Sequence, residues 1–253
     1  MQLTVVGCSG SIPGPDNPAS CYLLEADGFR LVVDMGSGAL GALQRYTGLD
    51  QVDAVVLSHL HADHFIDMCS FWVARTYWSG DPLPRIPVYG PADTAQRLAR
   101  ANDDPDITGT FDVATLTPGR RQIGPFAVTA GHVAHPVEAF AFRFEHGGQV
   151  LTYSGDTGES PVLIELARSA DILLCEAGFL DEPGLPPSLH LTGRQAGRSG
   201  LRCRCRAPGP HPPVPGQRPG PEPGRSTEHL PRAHLPRGAR PGARPGTTPA
   251  RIS

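Results

Sequence analysis

Short apolar stretches recur along the first three quarters of the chain, broken by Gly, Asp and Pro. Residues 3–6, 21–25, 29–34 and 52–57 are apolar runs of strand length. Runs this short, bounded by turn residues, predict buried strands rather than helices. Residues 7–19 form a loop rich in Gly, Pro and Ser between the first two. Residues 38–46 and 67–77 have helical spacing. Residues 86–89 predict a strand closed by Gly90-Pro91. Residues 92–101 follow as a helix, with Asp93 near its start, where the helix dipole favours a carboxylate. Further strands are expected over 126–132, 139–145, 149–153 and 172–175, and a helix over 160–169. Strands interleaved with some helices predict a layered α/β protein with mixed sheets.

This pattern stops near residue 197. From there on, 33 of 57 residues are Pro, Gly or Arg, and large apolar side chains almost vanish. Such a segment cannot bury enough surface to offset its ordering entropy. The expected organisation is therefore one domain over 1–196 and a disordered tail over 197–253. Charge divides at the same place. Residues 1–196 carry 11 Arg against 23 acidic residues, net −12, and residues 197–253 carry 11 Arg against 2 Glu, net +9. The tail has the sign of a nucleic-acid arm but lacks interleaved aromatics on which bases would stack. No Lys occurs anywhere, which fits a GC-rich coding sequence. No apolar run approaches the roughly 20 residues needed to cross a bilayer. The chain enters strand-like Gln2-Leu3-Thr4-Val5-Val6 with no leader before it, so a cytoplasmic protein with no membrane partner is expected. Cys8, Cys21, Cys69 and Cys175 lack pairing or zinc-ribbon spacing and fit a reducing compartment.

The chemistry concentrates in His59-Leu60-His61-Ala62-Asp63-His64, directly after the apolar run 52–57. Four metal-binding side chains fall within six residues at the end of a predicted strand. A core has no use for so many polar groups, since each needs a partner once buried. Imidazole nitrogen mixed with carboxylate oxygen suits zinc, and also manganese or iron. More candidate ligands stand at strand ends: His135 in Ala134-His135-Pro136, Asp156 in Tyr153-Ser154-Gly155-Asp156-Thr157, and His190 in His190-Leu191-Thr192. His132 reads as a structural or surface residue.

These stretches, with Gly7-Cys8-Ser9-Gly10-Ser11, Asp34-Met35-Gly36-Ser37-Gly38 and Cys175-Glu176-Ala177, resemble the metallo-β-lactamase superfamily in its phosphodiesterase branch. Residues 1–196 are similar to ribonuclease Z and, more closely, to actinobacterial-type cyclic-nucleotide phosphodiesterases. The resemblance implies an αββα sandwich of two mixed sheets, here with its C-terminal part incomplete, and two divalent metal ions, zinc first. It implies that His59, His61 and His135 hold one ion, that Asp63 and His64 help hold the second, and that Asp156 bridges both. Asp34 would tie down the ligand loop through hydrogen bonds, or else only make a strand-end turn. Asp63 could also orient a water nucleophile, and His190 could donate a proton to the leaving alkoxide.

Among substrates, a cyclic nucleotide or other small phosphodiester ranks first. Only 20 residues separate His135 from Asp156, which leaves no room for the tRNA-gripping arm that bacterial ribonuclease Z carries there. The acidic body also suits a polyanionic tRNA poorly. A tRNA 3′ endonuclease comes second, an acyl hydrolase third, and an inactive metal-binding remnant also stands. Relatives of this kind often form homodimers.

The family's last histidine is expected about 20 residues past His190, at the end of an apolar strand. Here His211 sits in Pro210-His211-Pro212-Pro213, and proline cannot join a central strand. A shift of coding frame shortly after Gly197 would explain this. Residues 209–214 can be encoded as GGT-CCT-CAC-CCA-CCT-GTC, which one base later reads Val-Leu-Thr-His-Leu. Such a loss would bare a sheet edge, weaken the second metal and leave activity weak or absent. The gene sequence decides it: neither alternative frame encoding an apolar strand that ends in His would refute the shift.

Overall fold

A computed structural model describes residues 1–104, 106–184, 186, 188–203 and 250–251. In chain order the elements are β1 (Gln2–Gly7), β2 (Cys21–Ala26), β3 (Phe29–Val33), α1 (Ala39–Leu43), β4 (Ala54–Val56), α2 (Ala62–Phe65), α3 (Asp67–Thr76), β5 (Ile86–Gly90), α4 (Thr94–Asn102), β6 (Phe111–Thr115), β7 (Gly119–Ile123), β8 (Phe126–His132), β9 (Phe140–His146), β10 (Gln149–Tyr153), α5 (Pro161–Leu166), β11 (Ile172–Leu174), α6 (Gly193–Cys203) and β12 (Ala250–Arg251). The first sheet runs β12-β1-β2-β3-β4-β5-β6 and the second β11-β10-β9-β8-β7. Both are mixed. β1, β2 and β3 pair antiparallel and β3 to β6 parallel, while β7 to β10 pair antiparallel and β10 pairs β11 parallel.

Period-two alternation explains the layers, because successive side chains in a strand face opposite sides. On β2 to β4, Leu23, Val32 and Val55 face α1, α3 and α4, meeting Leu43, Phe71 and Leu98. Their neighbours Leu24, Leu31, Val33 and Val56 face the second sheet, meeting Phe126, Val128, Phe140, Phe142 and Phe144. Both faces are apolar, hence the continuous apolar runs in the sequence. Ala141 on the far face of β9 packs with Leu163 and Leu166 of α5. The result is the αββα sandwich that the sequence predicts.

Several bounds differ from expectation. The helix expected over 160–169 is confined to Pro161–Leu166, with Ser160 accepting the Leu163 N–H as its cap; Ser169, at φ 55, has left the helical region. β6 and β7 carry no sequence signal of their own. In β7 only Ile123 is buried, as an edge strand allows. α6 continues to Cys203, seven residues into the segment whose composition predicts disorder. Its start explains this: the Thr192 N–H donates to Gln195 Oε1 (2.8 Å) and the Gln195 N–H to Thr192 Oγ1 (3.2 Å), a reciprocal cap that fixes a first turn. The rest of the expected tail, with His211, lies outside the described residues apart from Ala250–Arg251, which pairs with Gln2 and Leu3. No described helix is long and apolar enough to cross a membrane.

Candidate metal centre

The parallel strands β3 and β4 end side by side, with Val33 opposite Val56. Asp34 and the Ser58–His64 loop therefore emerge together. The backbone binds them again at Met35 N to His64 O (2.7 Å) and Asp67 N to Met35 O (3.1 Å). Gly36 is required here, because a Cβ on it would lie 1.8 Å from the Asp63 carbonyl oxygen. The other loops with candidate ligands leave the second sheet, His135 after β8 and Asp156 after β10. Gly155, at φ 56, lets that chain pass close to Phe140 and Ser58.

Asp34 has no exposed surface. Its Oδ1 accepts the Ser58 N–H (2.7 Å), and its Oδ2 accepts the Ser58 hydroxyl (2.7 Å), the Tyr153 hydroxyl (2.7 Å) and His64 Nδ1–H (2.8 Å). Asp34 thus makes the strand-end turn, at φ 57, and also gathers these hydrogen bonds. These bonds fix the ring nitrogens. His64 presents Nε2 to the centre. With its own proton given to Asp34, Ser58 Oγ accepts from His59 Nδ1 (3.1 Å), so His59 also presents Nε2. His135 donates Nδ1–H to the Leu189 carbonyl (3.0 Å) and again presents Nε2. Carboxylate or carbonyl partners of this kind orient metal-binding imidazoles.

The free nitrogens converge. His61 Nδ1 lies 3.1 Å from His59 Nε2 and 3.1 Å from His135 Nε2. Two of these three atoms are lone-pair acceptors, and one His61 proton cannot serve both. A cation can. Donors about 2.0–2.1 Å from a tetrahedral zinc stand about 3.3 Å apart, close to the separations found. Asp156 faces both sides of the centre, with Oδ2 3.7 Å from His59 Nε2 and Oδ1 3.2 Å from His64 Nε2. Asp63 Oδ2 lies 3.7 Å from His64 Nε2. Ligand atoms of His59, His61, His135 and Asp156 form one group able to hold a metal, and those of Asp63, His64 and Asp156 a second.

Electrostatics separate the two groups. Burial, with help from His64, lowers the His59 pKa to about 2. Burial also lowers that of His135. Both rings are neutral at neutral pH, as ligands must be. Burial opposes charge on His64 too, but Asp34 and Asp156 overcome it and raise its pKa to about 10. For Asp156, burial disfavours the anion, yet His64 and His59 more than compensate and hold its carboxyl below the usual range.

All six expected ligands and Asp34 therefore meet at one place. His190 stands at its edge, with Nδ1 3.1 Å from Glu176 Oε1 and 3.8 Å from Asp156 Oδ2. His132 does not join; its ring pairs with Glu138 at 3.3 Å. Glu176 and Tyr153 lie within the motifs named above, and Ser58 directly precedes the hexapeptide, but the sequence alone assigns none of them a role. Glu176 also accepts the Thr157 and Gly178 N–H groups (2.8 and 2.9 Å). A carboxylate at the end of an apolar strand and followed by a small residue was its signal.

The family model described as "Beta-lactamase superfamily domain" matches residues 30–204. The Mycobacterium leprae protein ML1173 is 44% identical over 214 residues, 81% of this chain and 75% of that protein. The Bacillus subtilis protein described as "Probable metallo-hydrolase YhfI" is 30% identical over 200 residues, 78% of this chain and 81% of its own. The crystal structure of YhfI superposes with a TM-score of 0.73 at 28% identity, covering 81% of this chain and 83% of that one. Ribonuclease Z of Mycolicibacterium gilvum is 29% identical over 197 residues, 69% of this chain and 68% of that enzyme. Layered sheets, converging imidazoles and these relatives agree: the chain belongs to the metallo-β-lactamase superfamily of hydrolases, in the branch that holds YhfI and ribonuclease Z.

Proposed function

We propose that this chain hydrolyses phosphodiesters, 3′,5′-cyclic nucleotides first among them, at a pair of divalent cations. The observation that carries this is the meeting of three histidine nitrogens spaced by 3.1 Å, with Asp156 between them and His64. His59, His61 and His135 would hold one cation, Asp63 and His64 the other, with Asp156 placed to serve both groups. Zinc suits the imidazole-rich set best, and manganese or iron also fit. Bound there, such a pair would lower the proton affinity of water and offset the charge on the phosphate oxygens.

The chain's own groups do the rest. Asp63 orients the attacking water. Glu176 takes the Nδ1 side of His190, so Nε2 is the atom that carries a proton toward the leaving alkoxide, a step suited to imidazole. Burial raises the Glu176 pKa, and Thr157 and Gly178 aim its two oxygens. A small substrate fits better than tRNA. The interval between His135 and Asp156 is filled by the β9–β10 hairpin, and the body carries net −12, which repels a polyanion. We place the protein in the cytoplasm.

One observation favours a second reading, an inactive metal-binding remnant: among the described residues the Asp63, His64 and Asp156 group offers three ligands and no further histidine. Hydrolysis of cyclic AMP, bis(p-nitrophenyl) phosphate and precursor tRNA, measured side by side with metal content, tests both. Cyclic AMP turnover is expected. Turnover of tRNA alone overturns the substrate ranking, and bound metal without any turnover decides for the remnant.

A further inference from the structure

We propose that Tyr153 is a positioning residue of this centre: its hydroxyl, reaching over from the second sheet, fixes the Asp34 carboxylate so that His64 is aimed at Asp156. The inference rests on the metal-binding reading above and goes beyond it by naming the contact that registers the two ligand-bearing halves against each other.

The donors on Asp34 come from both sheets, unequally. Ser58 N–H, Ser58 O–H and His64 Nδ1–H all come from the segment after β4, Ser58 from its loop and His64 from α2. They share the first sheet's frame and would move with it. Tyr153 O–H (2.7 Å) is the one described donor from the other sheet. It is also the last residue of β10, three positions before Asp156. A single hydroxyl thus joins the carboxylate that orients His64 to the strand from which Asp156 hangs.

The surroundings keep that hydroxyl in place. Tyr153 is buried, and its ring packs against Tyr22 with centroids 5.1 Å apart. Burial, reinforced by Asp34, holds its phenol well above the ordinary pKa, so the group keeps its proton and donates. The sheets touch closely here. Phe140 N–H donates to the Ser58 carbonyl (3.0 Å), and a Cβ on Gly155 would lie 2.7 Å from Phe140 O and 3.1 Å from Ser58 Cβ. Small displacements at this seam change the 3.2 Å separation between His64 Nε2 and Asp156 Oδ1. Partners that orient a ligand in this way typically change metal affinity by about 10–100-fold when removed.

Tyr153→Phe deletes the hydroxyl, keeps the ring and leaves no new buried polar atom. Zinc titration of the metal-free protein, followed by the histidine ring signals in NMR, reads the two groups separately. The expected result is at least about tenfold weaker binding at Asp63, His64 and Asp156, with a smaller loss at the His59, His61 and His135 group, whose His59 reaches Asp34 only through the Ser58 hydroxyl. In the metal-free protein, exchange of the His64 Nδ1–H proton with water should also quicken. Tyr22→Phe removes a neighbouring hydroxyl that does not bond Asp34, and should do neither. The proposal is overturned if Tyr153→Phe leaves both readouts at wild-type values, or if Tyr22→Phe reproduces them, which would mark general packing. Failure of wild-type protein to bind zinc refutes the metal reading instead, and the proton-exchange comparison still decides the role of Tyr153.

Discussion

His59 and His64 reach the centre from the first sheet, fully buried, and the hydrogen bonds that orient both end on Asp34. His135 and His190 come from the loops beyond the second sheet, partly exposed, one held by a backbone carbonyl and the other by Glu176. The first half is a rigid socket whose geometry is inseparable from the core. The second is a set of arms that solvent reaches. Rigidity suits holding a cation, and partial exposure suits proton transfer to a ligand that must enter and leave. Charge divides the centre differently. Burial keeps His59 and His135 neutral, whereas Asp34 and Asp156 favour the protonated form of His64 at neutral pH.

The strongest way to break the contrast is Asp34→Ala. It strands Ser58, Tyr153 and His64 donors in the core, and losing one partner of a buried charged pair costs about 3–5 kcal/mol. Urea unfolding should show that loss, and metal binding should fail in both groups. A mild effect would mean that the socket is not built on Asp34. Next comes His190→Ala on the open side. It should lower kcat by about 10²–10⁴-fold while bound metal and the unfolding midpoint stay close to wild type. If metal content falls in step, His190 is a ligand and not a proton donor.

The difference in charge yields a pH test. Taking up a cation at Asp63, His64 and Asp156 must expel the proton from His64. Below its raised pKa of about 10, affinity there should rise by about tenfold per pH unit, as expected when one proton is released. The three-histidine group should show no such slope from His59 or His135 near neutrality. The same values act on the stability of the metal-free fold. The raised His64 pKa gives stability that is complete below about 6.5 and lost as pH climbs through about 10. The lowered His59 pKa gives stability that is complete above about 6.5 and lost as pH falls toward about 2. Equal pH slopes for the two metal groups would erase the distinction. The smallest effect is His132→Ala. This ring is half exposed, with 52% of its side-chain surface open, and pairs only with Glu138 among its described ion-pair partners. Metal content and hydrolysis should stay at wild-type values, and a loss of either would enlarge the site.

The hexapeptide was legible because its spacing is dictated locally. Four ligands on one strand-end loop need no distant partner to be recognised, and apolar runs 29–34 and 52–57 mark the two strands that carry Asp34 and that loop. Strands buried on both faces announce themselves by continuous hydrophobicity. β7 did not, because an edge strand with one buried residue needs no such pattern. The helix through Gly197 was missed for another reason. Composition averages over a window, and a two-residue cap between Thr192 and Gln195 outweighs it locally.

The sequence by itself determined the two-sheet architecture, the metal-binding character of residues 59–64 and the candidacy of His135, Asp156 and His190. Those follow from periodicity, residue chemistry and resemblance of short motifs. Tertiary structure alone decided which nitrogen each imidazole offers, that Tyr153 shares Asp34 with His64, and that Glu176 backs His190. Each of these depends on atoms from elements up to 119 positions apart. Hydrogen-bond direction and ring orientation are settled only when the sheets close on one another, since a lone strand end leaves every such group free to turn toward water.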